Sequence, residues 1–164
     1  MIAVLLSAEE GAPVDVFGEL DGTWEGTFVG YDLEGIEQYR IQVRQVYRTV
    51  DDETQVVQIE DRMADGAVVR GEGANVARRL PDGSLELLCR VEKSNGDRVE
   101  HRGRLVSGPD GRKEIVWYSR ESKRREMFRE WVHHDAEGPV YAIEGVGQYG
   151  ETTVVMSGRY RKID

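Results

Sequence analysis

Hydrophobic and polar residues alternate with a period of two along nearly the whole chain from Trp24 onward. That spacing belongs to half-buried β-strands and not to an amphipathic helix. The pattern predicts strands over roughly 23–31, 37–50, 54–63, 67–79, 84–92, 97–107, 112–120, 124–134, 139–148 and 151–162. Between them stand short segments such as DLEG, MADG, LPDG, KSNG and GPDG. Their Gly, Asn and Asp residues supply the positive φ angles that tight hairpins require.

Short connections make consecutive strands antiparallel neighbours in a meander. Such a sheet has two unpaired edges unless it closes, and closure removes both. A two-sheet sandwich is the alternative, but it needs longer Greek-key crossovers than these turns provide. The expected fold is therefore all-β, an up-and-down antiparallel β-barrel of about 8–10 strands. Residues 20–164 form the barrel, and residues 1–19 an N-terminal arm or short helix.

The first strand opens with Gly22-Thr23-Trp24 inside the stretch GTWEGTF. An indole at that point can plug one end of a barrel, with Gly22 letting the chain turn in beneath the ring. This G-x-W arrangement resembles the first-strand signature of the calycin superfamily, which includes lipocalins, fatty-acid-binding proteins and nitrobindin-like barrels. The resemblance implies a lipocalin-like barrel with an interior ligand site. It also implies an Arg near the last strand packed over the Trp, and SGRYRKI offers Arg159 and Arg161 for that role. Nitrobindin-like barrels bind haem through a His, but this chain lacks the downstream His-containing segment of that group. No cofactor is expected.

Strand parity, counted along each segment, brings several polar side chains to the inner face. Gln45, Asp61, Asn75, His101 and Arg129 fall there among Tyr47, Met63, Trp117, Met127, Trp131, Tyr141 and Met156. Buried polar groups need partners, so these either pair around water or line a cavity. The candidate cavity lining is Tyr47, Asp61, Asn75, His101, Trp117, Arg129, Trp131 and Tyr141. Glycines in GEG at 71–73 and in EGVGQYG at 144–150 either leave room for a ligand or permit strong coiling of the sheet.

Composition narrows the function classes. The 164 residues carry a net charge of −9, from 31 acidic and 22 basic residues. Such a chain repels phosphate backbones and anionic membranes. The basic cluster in SKRREMFREW is interleaved with Glu121, Glu126 and Glu130, which read as a salt-bridged surface. No apolar stretch approaches the roughly 20 residues of a membrane helix. Neither nucleic acid nor membrane is an expected partner. The single Cys89 leaves no intramolecular disulfide and too few thiolates for a zinc site. His133 and His134 are adjacent on a strand and point to opposite faces, so they do not converge on a metal. Ile2 to Leu6 form a short apolar run without a charged leader, which favours a cytoplasmic protein over an exported one. A monomer or homodimer is expected.

The leading expectation is a barrel that binds a small, partly apolar ligand, with an acidic group of that ligand met by Arg129. The competing class is an enzyme using the same cavity, with His101 as base and Asp61 orienting it. A third is a filled barrel that serves as a structural or interaction module.

Overall fold

The computed structural model describes residues 15–121 and 124–164. Ten antiparallel strands follow one another: β1 (Gly22–Tyr31), β2 (Glu37–Thr49), β3 (Thr54–Arg62), β4 (Val68–Arg79), β5 (Leu85–Lys93), β6 (Arg98–Ser107), β7 (Lys113–Arg120), β8 (Arg124–Asp135), β9 (Gly138–Tyr149) and β10 (Thr152–Lys162). Each pairs with the next, and β10 pairs with β1 from Trp24↔Lys162 to Tyr31↔Val155. The sheet is a closed up-and-down barrel, with no strand edge left open. The hairpins turn where the sequence places glycine after Asp or Asn, as at Gly83 (φ 84°) and Gly96 (φ 87°).

One end of the barrel is closed. A short 3₁₀ helix, Gly18–Leu20, lies across it and leads into β1. Trp24 is fully buried, and its indole Nε1 donates to the Leu20 carbonyl at 2.7 Å. Val16 and Phe17 pack with Leu87, Ile115 and Trp117, so the chain before β1 adds to the core. Polar groups tie this plug down. Gln55 Nε2 donates to the Phe17 carbonyl (3.0 Å) and to Asp21 Oδ1 (2.8 Å), while Asn75 donates to Gln55 Oε1 (3.1 Å). The arm expected over 1–19, and the apolar run at 2–6, fall mostly or wholly outside the described residues.

The cation over Trp24 is Lys162, with Nζ 5.7 Å from the ring centroid, and not Arg159 or Arg161. The reason is parity. Val154, Met156 and Tyr160 point inward on β10, so Lys162 shares their face while Arg159 and Arg161 point out. Arg161 instead pairs with Asp135 and Glu137.

The inner-face glycines do not thin the wall. A Cβ built at Gly73 would overlap the Arg90 carbonyl, and one at Gly145 would overlap Phe128. These positions let neighbouring strands approach and coil tightly.

Candidate functional site

A cavity of about 280 Å³ occupies the barrel between the Trp24 plug and the opposite end. Its apolar walls come from inward positions of successive strands, among them Val43, Val57, Val91, Phe128 and Ile143. Polar side chains form three tiers within it. Deepest is Glu130 on β8, only 6% exposed. Trp117 Nε1 donates to its Oε1 at 2.8 Å, and the Tyr141 hydroxyl donates to its Oε2 at 2.5 Å. The Tyr141 and Tyr47 hydroxyls lie 3.3 Å apart, and Tyr47 donates on to Gln45 Oε1.

The middle tier centres on Glu126, which precedes Glu130 on the same inward face of β8. His101 Nε2 lies 2.6 Å from Glu126 Oε2, and the Tyr149 hydroxyl donates to Oε1 at 2.5 Å. The His101 ring meets Phe128 edge-on at 5.0 Å. At the mouth, Lys93 Nζ donates to Asp61 Oδ2 (2.8 Å), and Arg124 pairs with Asp97 (2.9 Å) and Glu126 (3.6 Å). The Lys93, Asp97 and Arg124 side chains are partly exposed, which marks this end as the open one.

The two interior glutamates are tuned in opposite directions. Burial pushes the Glu130 carboxyl above the ordinary carboxylate range, and its hydrogen bonds from Tyr141 and Trp117 recover only part of that cost. Burial also pushes Glu126 up, but hydrogen bonds from His101 and Tyr149 outweigh it and leave this carboxyl below the ordinary range. Desolvation raises the Cys89 thiol to about 12, so it is no nucleophile at neutral pH. The residues do not fit a haem. The His101 Nε2 that an iron would need is held by Glu126, and the ring edge is packed on Phe128.

Of the residues expected in the lining, Tyr47, Asp61, Asn75, His101, Trp117 and Tyr141 do line the cavity. Arg129 and Trp131 do not. Both sit on the outer face of β8, where Arg129 is half-exposed, bonds Glu144 at 3.2 Å and stacks over Trp131 at 5.2 Å. Arg112 covers the same indole at 4.7 Å, which is how an outward Trp stays buried. Met127, expected inside, is 53% exposed, and Met63 is 38% exposed just beyond β3. The acidic ligand group expected opposite Arg129 therefore loses its partner. The proposed His101–Asp61 couple is also absent, because each has another partner, Glu126 and Lys93. Glu126 and Glu130, read from sequence as surface charges, are the interior residues that reading missed. The hairpin register carried the signal: Trp117 pairs with Phe128, so an odd inward face on β7 forces an even inward face on β8.

No family model and no curated protein matches this sequence. Among solved structures, the crystal structure of Rv2717c from M. tuberculosis matches with a TM-score of 0.64 at 11% identity, over 93% of this chain and 98% of that one. That likeness shows the fold alone. A de novo designed fluorescence-activating β-barrel matches with a TM-score of 0.44 at 15% identity, over 92% of this chain and 99% of that one. EF1p2_mFAP2b bound to DFHBI matches with a TM-score of 0.41 at 12% identity, over 91% and 98%. What the structure shows is a closed ten-stranded antiparallel meander barrel. Among the described residues, no helix is long and apolar enough to cross a membrane, and no cluster of His, Cys, Asp or Glu is arranged to hold a metal.

Proposed function

We propose that this chain is a calycin-type binding protein that holds a small, partly apolar ligand inside its barrel. The observation that carries this reading is the cavity of about 280 Å³, open at the end opposite the plug. It lies just below the roughly 300–1,000 Å³ typical of sites for drug-sized ligands, which suits a smaller guest. A barrel filled by its own side chains would leave no such space. Its chemistry also suits a ligand site: mostly apolar walls supply affinity, and a few placed polar groups orient the guest. Tyr47, Asp61, Asn75, His101, Trp117 and Tyr141 are the lining residues from which this site is proposed, with Glu126 and Glu130 added.

Native mass spectrometry of the protein as purified tests the proposal, together with thermal melts against a panel of small aromatic and aliphatic compounds. A retained adduct, or a melting temperature that rises with compound concentration, is expected. A clean apo mass and a flat melting temperature across the panel would overturn it.

The His101–Glu126 pair favours a second reading, an acid–base enzyme in the same cavity. In that reading Glu126, not Asp61, orients the imidazole and offsets its charge. Turnover of a bound compound that disappears in His101→Gln while binding persists is the expected result for an enzyme. Equal product formation by parent and variant would remove it.

A further inference from the structure

We propose that the ligand carries a basic nitrogen, an ammonium or amidinium group on an apolar or aromatic body, seated against Glu130. This inference rests on the binding-barrel reading and names the class of guest. Glu130 lines the cavity at its deepest tier and is almost wholly buried. Its two donors, Trp117 Nε1 and the Tyr141 hydroxyl, are neutral and occupy one site on each oxygen. A carboxylate has about four acceptor sites, so each oxygen retains one.

Among the described residues, no Lys, Arg or His forms an ion pair with Glu130. The cations that do reach the cavity are already committed near its mouth, Lys93 to Asp61 and Arg124 to Asp97 and Glu126. His101 is committed to Glu126. Of the four carboxyl groups, Asp61 has Lys93, Asp97 and Glu126 share Arg124, and Glu126 also has His101; Glu130, the deepest, has none of these as an ion-pair partner. Burial makes the ionised form of Glu130 unfavourable, and a guest that brings the missing positive charge offsets that cost on binding, drawing off the proton wherever the carboxyl holds one. An anionic guest would meet the opposite field.

The surrounding rings fit the same guest. Trp117, Tyr141 and Tyr47 all turn their polar edges to the Glu130 tier, and the ring area behind those edges buries an apolar body. Placing the basic group deep and the apolar body toward Phe128 and Val99 uses both parts of the cavity lining.

Three probes with a common phenyl body separate charge from shape: phenethylamine, 2-phenylethanol and phenylacetate. Isothermal titration of each into the full chain at neutral pH gives the ranking. Phenethylamine is expected to bind about tenfold tighter than 2-phenylethanol or better, a factor equivalent to roughly 1.4 kcal/mol, and phenylacetate weakest. In Glu130→Gln, checked for folding by circular dichroism, the amine should fall to the affinity of the alcohol, whose own affinity stays nearly unchanged. The ranking in the unmodified protein is a test in its own right if that variant fails to fold. An alcohol or acid that binds as tightly as the amine overturns the inference, as does an amine preference that survives in a folded Glu130→Gln protein. A retained ligand without a basic nitrogen also overturns it, yet leaves the binding-barrel reading standing. Binding of none of the probes together with a clean apo mass removes both.

Discussion

Glu126 and Glu130 share one face of β8 and respond to folding in opposite senses. Glu130 has a folded pKa raised above the ordinary 4.5, chiefly by burial. Between those two values the native state holds a proton that the unfolded chain has released, so stability is full below about pH 4.5 and declines as pH rises through the folded pKa. Glu130→Gln should therefore match the parent at acid pH and become the more stable of the two toward neutrality. Glu126 is the mirror case, since its hydrogen bonds and the Arg124 charge leave its folded pKa lowered despite burial. Its contribution is present above the unfolded pKa and is lost as pH falls through the folded value. Glu126→Gln should cost roughly 1.5–3 kcal/mol at neutral pH, the range for hydrogen bonds to charged groups, and little at low pH. Urea titrations of both variants at several pH values check the two signs, and stability differences that move in the same direction with pH would refute the assignment. At the plug, Trp24→Ala should lose about 3–5 kcal/mol, as deletion of a large buried aromatic does. A near-neutral urea midpoint would mean that the indole does not hold the closed end.

At the scale of the strand, β8 separates what the sequence discloses from what it hides. Its outer residues include Arg129, whose half-exposed guanidinium serves Glu144 and Glu114. Arg129→Met should change stability by less than about 1 kcal/mol, because its pair with Glu144 is exposed and Arg112 still holds the buried Glu114 at 2.7 Å. Loss of several kcal/mol in a denaturant titration would place that charge in the interior after all. All ten strands were legible from alternation and turn residues, to within a residue or so at most ends, because one wet face and one buried face leave a period-two record. On β6 that record also put His101 inside, since Val99, Gly103 and Leu105 share its face. On β8 it failed, because both faces mix apolar with charged residues: Met127 and Trp131 on one, Phe128 and Val132 on the other. Here alternation alone cannot choose a face. The donors that make Glu126 and Glu130 tolerable inside come from β6, β7 and β9, so nothing local to β8 announces them. Lys162 stands over Trp24 in place of Arg159 or Arg161 for a related reason: the resemblance implies an Arg there, but the face of β10 that Tyr160 fixes as inward carries Lys162.

For the molecule as a whole, closure matters more than any one strand. In an open ten-stranded sheet the last strand would be an edge, and its loss would leave the rest paired much as before. Here β10 pairs with both β9 and β1, and it contributes Val154, Met156 and Tyr160 to the interior. Removing it would expose backbone donors and acceptors along two strands at once and open the core from the side. It would also free the start of β1, where Asp164 accepts from the Thr23 amide at 2.9 Å and Lys162 covers Trp24. A chain ending at Gly150 should therefore lose cooperative urea unfolding and associate through its new edges. Size-exclusion chromatography and circular dichroism measure both effects, and a synthetic peptide spanning 151–164 should restore the parent's elution volume and cooperative unfolding when added in trans. A truncated chain that elutes like the parent and unfolds in one sharp transition would mean that the nine-stranded sheet is stable with open edges, and that ring closure is not what holds the cavity in shape.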